Sequence, residues 1–537
     1  MKADLRGTLT VAVLYAALNA AIRLTAGTRL AMDDAKTNLF TQVWRWGYQA
    51  DNPPLYEWLI KGLHLVTGGG LWSFLVLNAV CLVASAGFTH LAVRRFAGER
   101  AAFGTACGMV LLYQVGWNFH QAFTHSALLL AMVCAGVWAG LRLVRRRRPS
   151  DYVLFGAVLG LGFLAKYNFA LFAGGFAVAA LTTGPGRRAL GSVWTLAALG
   201  IAGLIVLPHA LWLWGRANAY TASLPDTLAM EAGRLAGVGS LGVAVISFFV
   251  PWVFVYGWLR WRFAPSPGRG PRHATTRSGP DPGASSEDLR DDRGHRKALT
   301  PNRRFGPLPE GKVKLAAETS LLLRTATITT ALVLLGVLAF GIGAVSERYV
   351  IPVLLPAYAA LSASLLAARP AALRPYLLAS LAFAAAFSGV RLAGFLYPGP
   401  PFCGACRAFV PYGALTARLA EAVPPDAILL AREENTAGNL VAAFPQARVT
   451  SLNLLTRFNP ATPADADRPC YYVWSEDMTG GVPLHPVFAF ARTDPRTAVV
   501  DAAWPARGGL SVRRTVWGVT PLEGPLYARF CAHDAPG

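Results

Sequence analysis

The sequence predicts an α-helical polytopic membrane protein with about eleven transmembrane helices and a small extracytoplasmic α/β domain at its C-terminal end. Three observations predict it. Of 537 residues, 54% are hydrophobic and only 15% are charged, whereas a soluble chain is nearer a quarter charged. Apolar stretches of ~20 residues, long enough to cross a bilayer, recur through the first three quarters of the chain. Lys and Arg collect in alternate loops between these stretches, as they do on the cytoplasmic side of membrane proteins.

Spans are expected at 7–26, 71–94, 101–118, 123–144, 151–165, 168–183, 189–215, 237–260, 320–343, 349–367 and 373–396. The fifth and sixth are short and read either as re-entrant helices or as two spans joined at Lys166-Tyr167. With a cytoplasmic N-terminus, Lys2, Arg6, Arg94, Arg95, Arg100, Arg142, Arg145, Arg146, Arg147, Arg148, Arg187, Arg188, Arg260, Arg262, Arg369 and Arg374 share one side. The odd number of spans then puts the tail outside. The first run, Leu9 to Ile22, follows Lys2 and Arg6 without a small-residue cleavage pattern, so it reads as a signal anchor. The net charge of +21 is spread over these loops and forms no contiguous soluble face, which argues against nucleic-acid binding.

Residues 1–397 therefore read as the membrane domain and 398–537 as the outer α/β domain. Within the first, residues 27–70 form the first outer loop. Its tryptophans and apolar positions suit interfacial helices, broken at Asn52-Pro53-Pro54. Residues 262–318, rich in Pro, Gly, Ser, Arg and Asp, bury too little apolar surface to fold and are expected to be disordered. In the tail, strands are expected at Asp426–Ala431, Val449–Leu454, Tyr471–Trp474 and Val512–Trp517, and a helix at Thr436–Ala443. Cys403, Cys406, Cys470 and Cys531 are able to pair in an oxidising compartment; structural bridges and free thiols both fit. Cys81, Cys107 and Cys134 read as small core residues.

Asp33-Asp34 lie just past the first span. They are either solvated loop acids or a general base, a cation site, or both. Lys166 lies on the outer side, against the positive-inside trend. It either snorkels to headgroups or partners an anion such as a lipid phosphate. Arg348, at the outer start of a span, either pairs with Glu347, anchors the helix at the interface, or joins Lys166 in such a role. His120, His125 and His64 match no standard metal-ligand spacing; a polar contact to a sugar fits His120 and His125 better.

These residues stand in a familiar order. Asp33-Asp34-Ala35, then Trp44-Arg45-Trp46-Gly47-Tyr48, then Asn52-Pro53-Pro54-Leu55-Tyr56-Glu57-Trp58-Leu59 resembles the bacterial branch of the protein mannosyltransferase family. That branch includes the aminoarabinose lipid A transferases and the lipopolysaccharide core galacturonosyltransferases. Gly160-Leu161-Gly162-Phe163-Leu164-Ala165-Lys166-Tyr167 and Arg348-Tyr349-Val350-Ile351-Pro352 resemble two further family segments. The resemblance implies a GT-C fold and a polyprenyl-phosphate-sugar donor. It implies Asp33 as catalytic base with Asp34 beside it, and Lys166, Arg348, Tyr167 and Tyr349 around the donor phosphate. Asn52, Tyr56, His120 and His125 are then substrate contacts. Asp34 stands where relatives usually have Glu, His125 where many have Asp, and Asn52 where some have Lys or His.

On this reading the chain is an inverting glycosyltransferase of the cytoplasmic (inner) membrane. It transfers a sugar to a lipid, glycan or protein hydroxyl on the outer face. A monophosphate leaving group held by cations requires no metal, although Asp33 and Asp34 are able to hold a divalent cation. The competing reading is a non-catalytic polyprenyl-lipid transporter or lipid-binding protein. Transporters often show two related halves, and the chain has no such internal repeat.

Overall fold

The structure is a computed structural model. It describes residues 3–31, 33–216, 229–264, 310–404, 406–454, 458–475, 486–510 and 512–532, with the side chains of 310–314, 463 and 486 left aside. Among the described residues, eight helices are long and apolar enough to cross a membrane, or nine if a bent pair counts as one span. The expected eleven spans are thus not all continuous helices.

Helix α1 (Leu5–Leu24) is followed by α2 (Asp33–Phe40) and α3 (Leu55–Thr67) in the first loop, and then by α4 (Leu71–Ala97). Asp4 caps α1 by accepting the Gly7 N–H at 2.8 Å. The expected span at 101–118 is broken. It consists of α5 (Glu99–Cys107), a 3-10 turn over Gly108–Leu111 and a single turn at Tyr113–Gly116. At Gly108, a side chain would meet the Tyr376 ring at 2.3–2.5 Å. The segment therefore folds as short pieces closely packed on a neighbouring helix.

Helix α6 (His125–Arg146) begins at Thr124, whose hydroxyl accepts the Ser126 N–H at 3.2 Å. Pro149 opens α7 (Pro149–Ala165), and buried Asp151 accepts from the Arg148 backbone and pairs with Arg142. The fifth and sixth expected spans are two helices, since α8 (Phe169–Leu181) starts anew after Lys166 and then bends 118° into α9 (Gly184–Leu190). Helix α10 (Trp194–Trp214) follows. The expected span at 237–260 breaks at Pro251 into α11 (Gly233–Phe249) and α12 (Trp252–Arg262).

Most of the expected disordered insertion lies outside the described residues. Its end does not conform: residues 310–318 begin α13 (Glu310–Phe340). Glu318 there is mostly buried and lies 3.8 Å from Arg145, so the helix continues beyond its apolar part with a charged partner. Helices α14 (Ile351–Ala368) and α15 (Leu373–Leu396) complete the bundle. Its core is one continuous apolar cluster running through α3 to α8 and α11 to α15.

The tail is a small α/β domain. Its elements are α16 (Tyr412–Ala422), β1 (Ile428–Ala431), α17 (Glu434–Ala443), β2 (Arg448–Ser451), β3 (Cys470–Ser475), α18 (Pro486–Thr493), β4 (Ala498–Ala503), β5 (Arg514–Leu522) and α19 (Gly524–Phe530). The sheet order is β2-β1-β3-β5-β4, with β1 parallel to β2 and β3, and β5 antiparallel to β3 and β4. Side chains alternate across a strand. Leu429 and Ala431 thus face α16, α17 and α2, whereas Ile428 and Leu430 face α18 and α19. Disulfides join Cys403 to Cys406 and Cys470 to Cys531, while Cys81, Cys107 and Cys134 are free.

Candidate active site

Helix α2 carries the acidic pair in its first turn, where carboxylates suit the positive end of the helix dipole. The α2 segment is held by the C-terminal α/β domain. Asn38 donates to the Gly438 carbonyl at 2.8 Å. Asn439 accepts the Leu30 N–H and donates to the Leu30 carbonyl, both at 3.0 Å. Gln42 donates to the Val449 carbonyl at 2.7 Å and accepts the Val449 N–H at 2.9 Å. Leu39 and Phe40 join the apolar cluster of the tail. A side chain at Gly438 would stand 2.0 Å from the Ala35 carbonyl oxygen, so α2 and α17 touch backbone to backbone.

Asp33 is half exposed and lies 3.5 Å from Arg348 Nη1, the two residues being 315 positions apart. An exposed pair of this kind adds at most about 1 kcal/mol to stability, so its interest is in where it lies. Lys166 sits just beyond the end of α7. Its ammonium donates to Ser126 Oγ at 3.0 Å and stands 5.2 Å over the Tyr349 ring. Burial and the nearby Arg348 charge push the Lys166 ammonium down to about 8, with Asp33 opposing the shift. Arg348 does not pair with Glu347, as one sequence reading had it; Glu347 accepts from Asn118 at 2.9 Å. Asp33, Arg348, Lys166 and Tyr349 thus form one electrostatic group.

Asp34 is turned inward. It is 2% exposed and accepts the Ala31 N–H at 3.0 Å. Burial pushes its carboxyl up to about 7, offset in part by the Ala31 hydrogen bond and the Arg23 charge. Tyr56 is buried with the His125 ring 4.7 Å away. His125 Nε2 lies 3.0 and 3.1 Å from the two carboxyl oxygens of Glu57, which is fully buried.

Three expected contacts lie apart from this group. Tyr167 points away from it, donating to His209 Nε2 at 2.7 Å. The other His209 nitrogen must carry the proton, because it donates to the Trp46 carbonyl at 2.8 Å. His120 is buried edge-on to Tyr15 at 5.2 Å, and its Nε2 has no hydrogen-bond partner. Asn52 is partly buried and makes no hydrogen bond to the acid–cation group among the described residues. Sequence reasoning missed Glu57, Ser126 and His209. A signal existed for Glu57, a carboxylate among apolar positions of a helix. No group of three or more His, Cys, Asp or Glu able to hold a metal occurs among the described residues. A cavity of about 630 Å³ lies elsewhere, between α1, α4, α5 and α15, lined by residues such as Leu14, Leu18, Leu82 and Leu381.

Helical bundle and C-terminal α/β domain together make a multi-pass membrane protein with a GT-C fold. The structure superposes on ArnT from Cupriavidus metallidurans bound to undecaprenyl phosphate with a TM-score of 0.55 and 15% identity, covering 95% of this chain and 98% of that one. A family model described as dolichyl-phosphate-mannose-protein mannosyltransferase matches residues 51–212. Two similar proteins come from Rhizobium johnstonii. The lipopolysaccharide core galacturonosyltransferase RgtA is 33% identical over 240 residues, 44% of this chain and 47% of that protein. The lipopolysaccharide core galacturonosyltransferase RgtB is 26% identical over 261 residues, 47% of this chain and 52% of that protein. The chain spans about half the length of the curated relatives it matches. These matches bear out the resemblance read from the sequence to GT-C-type glycosyltransferases.

Proposed function

We propose that the chain is a glycosyltransferase of the inner membrane that moves a sugar from a polyprenyl-phosphate donor to a hydroxyl of a lipid or lipopolysaccharide acceptor on the outer face. Its N-terminus is cytoplasmic, residues 1–397 are the catalytic membrane part and residues 398–537 are the outer domain. The names of the two Rhizobium proteins favour galacturonic acid as the sugar. The observation that carries this reading is the meeting of Asp33, at the start of the chain, with Arg348 and Lys166 from two distant segments.

In the reaction, the acceptor oxygen attacks the anomeric carbon as the bond from that carbon to the phosphate oxygen breaks. Asp33 accepts the hydroxyl proton, since a free alcohol is a poor nucleophile near neutral pH. The departing polyprenyl phosphate gains charge, which Lys166 and Arg348 neutralise with Tyr349 alongside. A single displacement inverts the anomeric carbon. Arg348, paired with Asp33 before the donor arrives, moves to the phosphate and leaves the carboxylate to the acceptor. Asp34 holds the turn that aims Asp33. The pair supplies two carboxylates of unlike burial, and no step is routed through a cation there.

The test uses protein in nanodiscs with radiolabelled polyprenyl-phosphate galacturonic acid and lipopolysaccharide acceptor. Asp33→Asn is expected to reduce transfer at least a thousandfold while the protein stays folded. Transfer at the wild-type rate in that variant rejects the reading. Translocation of the donor without transfer favours the transporter alternative.

A further inference from the structure

We infer that His125, oriented by Glu57, is the group that recognises the carboxylate of a uronic-acid donor. The inference rests on the transferase reading above and goes further, because it assigns the choice of sugar class to two residues.

The imidazole is held on two sides. One edge faces Glu57, with both carboxyl oxygens within 3.1 Å of Nε2. One face lies against the Tyr56 ring at a centroid distance of 4.7 Å. A carboxylate only accepts, so Nε2 carries a proton and the ring cannot flip without losing that bond. Nδ1 makes no hydrogen bond among the described residues, and it is absent from the buried atoms that lack a partner. It is therefore the ring atom left free to meet a ligand.

Its position fits a sugar. His125 opens α6 directly before Ser126, whose hydroxyl holds the Lys166 ammonium. The Tyr56 ring against it feels the charges of both Asp33 and Asp34. His125 is thus next in the chain to the residue that holds Lys166, and its ring neighbour Tyr56 lies within electrostatic reach of the acids. In a pyranose C5 is bonded through the ring oxygen to the anomeric carbon, so the C6 carboxylate lies close to the anomeric phosphate and is met by a group near the residues that hold that phosphate, as a neighbour of Ser126 is. A ring bracketed by Glu57 and a sugar carboxylate binds as the imidazolium, donating from both nitrogens. The start of a 22-residue helix adds dipole support for the anion. Glu57 is fully buried, and an unpaired carboxylate there is strongly disfavoured. A histidine working as a cation supplies the partner that this carboxylate needs.

The test compares two donors that differ only at C6, polyprenyl-phosphate galacturonic acid and polyprenyl-phosphate galactose, with full-length protein in nanodiscs. Wild-type protein is expected to prefer the uronate. His125→Gln is expected to lower kcat/KM for the uronate about ten- to a hundredfold, mainly through KM, as loss of a charge-assisted hydrogen bond does. The galactose donor should fall much less, so the preference narrows at least about tenfold on that basis. Glu57→Gln keeps an acceptor for Nε2 but removes the charge, and is expected to narrow the preference in the same direction. It decides the matter should His125→Gln fail to fold. An equal fall for both donors would mark the pair as structural and overturn the inference, as would a wild type that prefers galactose. Absence of transfer from either donor by the wild type would instead remove the transferase reading, and the inference with it.

Discussion

The contact at Gly438 joins the tail to the helix that carries Asp33, and Gly438→Ala tests whether the tail positions that acid for the proposed reaction. The added methyl would meet the Ala35 oxygen at 2.0 Å and the Ala35 Cα at 2.6 Å. Relaxing the first to an ordinary 3.4 Å separates α2 from α17 by about 1.4 Å, since the atoms it meets are all backbone and cannot rotate away. Asp33 lies two residues before Ala35 on α2, and its neighbour Arg348 belongs to a different element. The carboxylate is therefore displaced relative to the cations. A misplacement of about 1 Å commonly reduces rate about a hundredfold. The expected result is a kcat near one hundredth of wild type in the transfer assay, with donor KM changed far less. Overpacking should also cost about 1–3 kcal/mol of stability, read as a lower Tm. A variant with kcat within twofold of wild type would refute the idea that the tail positions the acid.

Two further outcomes follow from buried groups. Asp34 ionises near 4 in an unfolded chain but near 7 when folded, so folding holds a proton that the unfolded chain releases. Stability should therefore fall as pH rises from about 4 to 7, by an amount on the order of 4 kcal/mol for a shift this size. Asp34→Asn should flatten that slope in thermal melts, and an unchanged slope would disprove the burial argument. Cys470 and Cys531 close a loop across 61 positions. Replacing both by Ala should cost about 4 kcal/mol by loop entropy, measured by denaturant unfolding of the outer domain. A loss below 1 kcal/mol would show that the sheet holds that segment unaided.

Much of the site was legible because the chemistry sat in the wrong place for a simple membrane anchor. Lys166 broke the charge rule, Asp33 opened an outer loop, and Arg348 began a span on the same side. Their meeting was expected, and the structure brings them together. What stayed hidden was hidden for physical reasons. The span at 101–118 is apolar throughout, and hydropathy does not register where Gly108 must fit under Tyr376. The pairing of Glu57 with His125 joins positions 68 residues apart, and no local spacing reports it. Tyr167 follows Lys166 in sequence yet faces His209, because neighbours at the end of a helix point in different directions. In the tail, β4 and the helices α16, α18 and α19 were missed; β4 is an edge strand whose exposed residues dilute the alternation that reveals a strand.

The backbone clasp between α2 and α17 bears on how such proteins diverge. An acid borne by one part of the chain and steadied by another ties the evolution of the two. A chimera that imports a foreign outer domain should lose turnover unless residues 27–42 are exchanged with it. Within this architecture, the first loop and the distal domain form one heritable unit interrupted by the bilayer-embedded helices.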